Sequence, residues 1–214
     1  MPVTIHPPVS GIWKLFTSRG HHPYSKDFVA LDYRCRAMTP AQRLQYLFAQ
    51  LDAEDLPGWG QPVLAPLAGK VLHLAQDHDD HTDLNAPRDR LRQRMATRRA
   101  DGSPGFFLGN HLILETDDGL HVLLAHLKKS SIRVVPGQRV AAGEMLGKVG
   151  NSGVSLLPHL HFHITQPAAE NPDQPLPFVF DRFDALENDV WHHREMLLPL
   201  DHKPFKATGI RNDA

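Results

Sequence analysis

From Gly109 to Thr165 the chain alternates apolar and polar residues with a period of two, in short runs cut off by Gly, Asp and Asn. A period of two puts apolar side chains on one face of a pleated strand and polar ones on the other. Runs such as "NHLILE", "HVLLAHL" and "HLHFHIT" carry no helical stripe, so they specify a sheet with one face on a core. "TDDGL" between two such runs is a hairpin signal. Upstream, "PVLAPLAGKVLHLA" reads as strand, turn, strand. Gly11 to Phe16 and Asp27 to Tyr33 read as two further strands. In the second, Phe28, Ala30 and Asp32 share one face, and Asp27, Val29 and Leu31 the other. The expected class is mainly β, an antiparallel sandwich or barrel-like fold.

Two segments interrupt this pattern. In "TPAQRLQYLFAQLDAED", Thr39 stands as N-cap, Pro40 at the first helical position and Gln42 where a capping box needs it. Leu44, Leu47, Phe48 and Leu51 recur at helical spacing, which predicts a helix over 40–53. "QDHDDHTDLNAPRDRLRQRMATRRADGSPG" has little apolar content and reads as an exposed insertion holding a short basic helix over 87–99. Its arginines, Arg88, Arg90, Arg92, Arg94, Arg98 and Arg99, read first as a solvated face; contact with an anionic polymer is the sharper alternative. His78 and His81 sit among aspartates without an apolar frame, so no cation site is assigned to them. After Gln166 come six of the 18 prolines; this tail reads as an irregular wrapping segment with a helical stretch around 185–196. The expected organisation is one domain over 1–214, with a core at about 11–165, insertions at about 36–60 and 77–105, and a Pro-rich extension over 166–214.

The formal net charge of -1 implies no overall attraction to nucleic acid or to an anionic membrane. One cysteine, Cys35, excludes an internal disulfide. No apolar run approaches the ~20 residues of a membrane-spanning helix. The start lacks a basic stretch followed by an apolar one, so a cytoplasmic location is expected from the sequence as it stands, and the cell envelope if a leader has been removed.

Fifteen residues are histidine, and a few stand in patterned positions. In "PHLHFHI", His159, His161 and His163 fall on one strand face, with Leu160, Phe162 and Ile164 on the other. Side chains two residues apart on a strand stand roughly 7 Å apart, so neighbouring imidazoles can serve one small site. Neutral imidazole is a common metal ligand, and catalytic zinc usually takes three protein ligands and keeps one position for water. His126 ends the apolar run "VLLA", and His22 lies five residues before Asp27.

In order and spacing, "GHHPYSKDF", "PVLAPLAGKV", "GNHLILE", "AHL", the glycine-spaced "VVPGQRVAAGEMLGKVGNSG" and "PHLHF" resemble the lysostaphin/LytM-type zinc endopeptidases over about Gly11 to Thr165. The resemblance implies a duplicated hybrid β motif, related to biotinyl and lipoyl carrier domains, and one zinc ion. It also implies metal ligands at His22, Asp27 and His161, with His126 and His159 facing the bound water and the scissile carbonyl. His21 is the alternative first ligand, because the spacing to Asp27 departs from the four positions common in the family; Asp32 is a weaker rival to Asp27. His163 stands where the family often has Glu or Gln, and is assigned no ligand role. The function implied is hydrolysis of peptide bonds in peptidoglycan cross-links or stem peptides; the alternative is a non-catalytic scaffold that activates other wall hydrolases. A carrier-domain reading fails, because the turn in "VAAGEMLGKVGNSG" lacks a lysine at its tip.

Overall fold

In the computed structural model, residues 1–18, 21–99, 104–167 and 174–208 are described. Among them the alternating segments build one eleven-stranded sheet. Its order is Val3–Ile5, Phe178–Glu187, Pro204–Ala207, Gly11–Phe16, Lys26–Ala30, Leu160–Thr165, His121–Leu127, Asn110–Glu115, Gly69–Ala75 and Arg139–Val140, with Val190–Leu197 hairpinned onto Phe178–Glu187. Neighbours are antiparallel except Val3–Ile5, which runs parallel to Phe178–Glu187. The fold is mainly β, as expected, but the sheet stays open and does not close into a barrel. A separate ribbon pairs Pro62–Leu64 with Met145–Lys148.

Alternation sorts the two faces. Leu15, Phe28, Leu112, Leu124, Phe162 and Ile164 are fully buried in the main core, and burial of such side chains is the dominant favourable contribution to folding. The residues between them, Asp27, Leu123, Ala125 and His161, point to the opposite face. His161 pairs directly with Asp27 on one side and with Ala125 on the other. The three strands that matter most for function are therefore neighbours at the middle of the sheet.

The tail departs from expectation. Instead of an irregular wrap with a helix around 185–196, Phe178–Glu187 and Val190–Leu197 form a hairpin, and Pro204–Ala207 inserts between Phe178–Glu187 and Gly11–Phe16. Phe180, Phe183 and Phe205 join the core. The prolines do not forbid this, since Pro177 and Pro199 flank the strands and Pro204 opens one, positions where a missing N–H is tolerated.

The first insertion forms the predicted N-terminus. Thr39 receives the Gln42 amide and Gln42 reaches back to the Thr39 amide, a complete capping box. The helix, however, ends at Phe48, and Leu44, Leu47 and Phe48 are exposed rather than buried. The apolar residues that do bury flank the helix: Met38, Leu51, Ala53 and Leu56, together with Leu84 of the second insertion. Leu51–Asp52 pairs with Asp83–Leu84 in a short two-stranded ribbon. The second insertion holds the expected basic helix, observed as Ala86–Arg99, and a short helix over Pro104–Leu108 that the sequence pattern did not suggest. The side chains of Arg98 and Arg99, part of the expected basic cluster, lie outside the described residues. The two insertions thus share one small core, against which Tyr46, Trp59 and Leu157 pack.

Candidate active site

His161 and Asp27 face each other across paired strands, so their side chains meet on the non-core face. His161 Nδ1 lies 2.8 Å from Asp27 Oδ1. Ser18 donates its hydroxyl to the other carboxylate oxygen. Asp27 has no exposed surface. That burial would raise its pKa, but the hydrogen bonds from His161 and Ser18 and the nearby His159 outweigh it and hold the carboxyl well below the usual range. Since an ionised carboxylate only accepts, His161 carries its hydrogen on Nδ1, and its Nε2 accepts from His163 Nδ1 at 3.2 Å.

His21 completes the group. One ligand atom each from His21, Asp27 and His161 lies within 4.8 Å of the others. The His21 and His161 rings meet edge to face at 4.9 Å. His22, the ligand expected from sequence, lies outside this cluster. Its Nδ1 accepts from the Tyr24 amide at 3.2 Å and its ring leans on the Tyr24 ring. The turn through Pro23 and Tyr24 thus uses His22 locally and leaves His21 facing Asp27. Asp32, the rival carboxylate, is tied to Arg36 and to the Arg34 and Arg36 amides in its own loop.

His126 reaches the site through a break in register. Leu127 pairs with Asn110 and Ala125 with His111, so His126 is the extra residue of a bulge, with φ at 61°. Regular alternation would send it to the core face after Ala125. The left-handed residue turns it instead onto the face of His161, a use bulges commonly serve. The backbone strain is held by hydrogen bonds. Ser152 accepts from the Asn110 amide at 2.9 Å and donates to Leu127 O at 2.8 Å. Asn110 Nδ2 also donates to Leu127 O. Gly109, at φ 60°, lets this close approach happen: a Cβ there would stand 2.5 Å from Gly153 N.

Both flanking imidazoles are oriented by carbonyls. His126 Nδ1 donates to Ser152 O at 2.9 Å, and His159 Nδ1 to Leu157 O at 2.8 Å. Each ring therefore bears its hydrogen on Nδ1 and leaves Nε2 bare. His159 Nε2 lies 3.6 Å from Asp27 Oδ1, and the His126 and His159 rings are 4.7 Å apart. Burial, reinforced by His159 and His161, pushes the His126 pKa well down. Burial first, then the neighbouring imidazoles His161, His21 and His22, lower His163 to about 3. His21 is lowered as well, chiefly by burial. These rings are neutral near pH 7, the form in which imidazole binds a metal or takes a proton.

The sequence reading thus placed Asp27, His126, His159 and His161 in one site, and missed the residues that hold them. Ser18, Asn110, Ser152 and Ser155 carried no signal of their own beyond the "NSG" and "GNH" motifs. His81 Nε2 bonds Gly153 O at 3.0 Å.

Comparison with known proteins covers part of this site. Residues 94–174 match the family profile described as Peptidase family M23. That stretch contains His126, His159 and His161; His21 and Asp27 lie upstream of it. The glycyl-glycine endopeptidase ALE-1 of Staphylococcus capitis is 40% identical over 74 residues, which are 33% of this chain and 20% of that protein. Lysostaphin of Staphylococcus simulans is 35% identical over 74 residues, 33% of this chain and 15% of that protein. The chain therefore spans only a minor part of the length of these relatives. Among solved structures, the catalytic domain of a point mutant of the prophage-encoded M23 protein EnpA from Enterococcus faecalis aligns with a TM-score of 0.43 at 18% identity, over 78% of this chain and 88% of that one. The solution structure of lysostaphin aligns at 0.42 and 21% identity, over 74% of this chain and 46% of that one. The chain carries the peptidase family M23 pattern over residues 94–174, and the resemblance to lysostaphin/LytM-type peptidases holds there.

Ser152 is the test of the bulge. Ser152→Ala leaves the Asn110 amide without its buried acceptor and removes one donor to Leu127 O, which should lower the unfolding free energy by about 1–3 kcal/mol in a denaturant titration. An unchanged midpoint would show that the bulge does not depend on this hydroxyl.

Proposed function

We propose that this chain is a zinc-dependent endopeptidase that hydrolyses peptide bonds of peptidoglycan, in cross-links or stem peptides. The observation that carries this reading is the cluster His21, Asp27 and His161 set beside two imidazoles with bare Nε2 atoms. Two imidazoles and one carboxylate, with room for a fourth position, suit a catalytic rather than a structural zinc site. Asp27 is ionised and the His21 ring neutral, as zinc ligation requires. With a metal bound, His161 would ligate through the Nδ1 beside Asp27 and carry its hydrogen on Nε2 instead, donated to His163 Nδ1, the kind of outer partner that orients a ligating imidazole. Zinc, when bound, supplies Lewis acidity and lowers the pKa of a bound water toward ~7.

The chain's own residues divide the remaining work. His126 is held neutral by burial and presents Nε2, which suits it to take the proton of the attacking water. His159, across the same small space, stabilises the developing oxyanion when it carries a second proton. The Nδ1 bonds to Ser152 O and Leu157 O keep both rings in the required orientation throughout. The substrate class rests on the relatives, one of which is named a glycyl-glycine endopeptidase.

Incubation of the zinc-loaded protein with peptidoglycan and with oligoglycine, with and without a chelator, tests the reading. New amino termini that appear only without chelator support it. Binding without release would favour a scaffold that activates other hydrolases. Zinc titration calorimetry separates the adjacent histidines: His21→Ala should weaken zinc binding beyond the ~10–100-fold loss seen for outer-sphere partners. His22→Ala should leave it within about threefold. The reverse order would return the ligand role to His22.

A further inference from the structure

The arginine-rich helix of the second insertion reads from sequence as a solvated face, yet Arg92 is half-buried and paired inward. Its guanidinium lies 3.4 Å from Asp89 Oδ1, and Asp89 has no exposed surface. Asp89 is itself fixed at the start of the helix, where its other oxygen accepts from the Asn85 amide at 2.8 Å. Arg92 then donates across to Ser155 O at 2.9 Å. Ser155 belongs to the loop that orients His159: its hydroxyl donates to Leu157 O at 2.9 Å and lies 3.0 Å from His159 Nδ1. Leu157 packs on the small core shared by both insertions. Farther back along the same loop, His81 bonds Gly153 O, and Asp80 accepts from the Asn151 amide at 2.7 Å.

The loop over 151–157 supplies the carbonyls that orient both His126 and His159, and the insertions grip it from one end to the other. We propose that the insertions act as a buttress for this loop and that Arg92 is a positioning residue for His159, acting through Ser155 and Leu157. The sheet by itself fixes His161 and Asp27, because they lie on paired strands. His159 precedes its strand, and its orientation depends on a loop with no strand of its own. An arginine paired with a buried carboxylate is a rigid donor for such a loop. The proposal rests on the peptidase reading only for its effect on turnover.

The experiment uses the zinc-loaded full chain and its Arg92→Gln and Arg92→Lys variants, the second keeping the charge opposite Asp89. Two readouts are taken: steady-state cleavage of oligoglycine, and the ring tautomers from two-bond 1H–15N spectra of the histidines. Arg92→Gln should lower kcat by about ten- to a hundredfold, with KM within about twofold and zinc content unchanged. It should also erase the Nδ1–H pattern of His159 while leaving that of His126. Arg92→Lys should recover a substantial part of both. Unchanged kcat with an unchanged His159 pattern in Arg92→Gln overturns the proposal. So does a loss of zinc and of every histidine pattern together, which marks a merely structural role. If the unsubstituted protein cleaves nothing, the peptidase reading fails, and the tautomer spectra still decide the role of Arg92.

Discussion

Asp27 is an ionised carboxylate with no exposed surface, placed at the middle of a sheet. An isolated buried charge costs several kcal/mol unless its neighbours compensate it. The neighbours here are one hydroxyl and three imidazoles: Ser18, His161, His159 and His21. His161 donates Nδ1–H to the carboxylate and Ser18 its hydroxyl, so both Asp27 oxygens accept a hydrogen bond. The same atoms that compensate Asp27 belong to the group His21, Asp27 and His161, to which the proposed function assigns the metal.

Strand register does most of the placing. Leu160, Phe162 and Ile164 hold one strand to the core, Phe28 and Ala30 hold its neighbour, and the direct pairing of His161 with Asp27 follows. This part was legible in the sequence because a period of two decides which side chains share a face. His126 was legible only as part of a motif. Its arrival at the site needs a bulge, and a bulge is set by contacts with Asn110 and Ser152, far along the chain. The choice between His21 and His22 also lay beyond any spacing argument. What favours His21 is a local turn in which the Tyr24 amide takes up the His22 ring nitrogen and leaves His21 near Asp27.

The insertions and the tail show a different limit. Each insertion read alone is a polar excursion with a helix in it. Together they close a core of Met38, Leu51, Ala53, Leu56 and Leu84, and no local pattern announces that two separated segments bury each other. The exposed Leu44, Leu47 and Phe48 show the converse, since helical spacing of apolar residues predicts a face without stating what covers it. In the tail, proline content masked three strands, because Pro177 and Pro199 stand just outside strands and Pro204 opens one.

The proposed function separates two duties in the site: His21, Asp27 and His161 would hold the metal, and His126 and His159 would do proton chemistry beside it. Native mass spectrometry of a His126→Ala/His159→Ala double variant tests that division most directly. One zinc per chain, retained as in the unsubstituted protein, is the predicted result. Loss of the zinc would place His126 or His159 among the ligands and contradict the account.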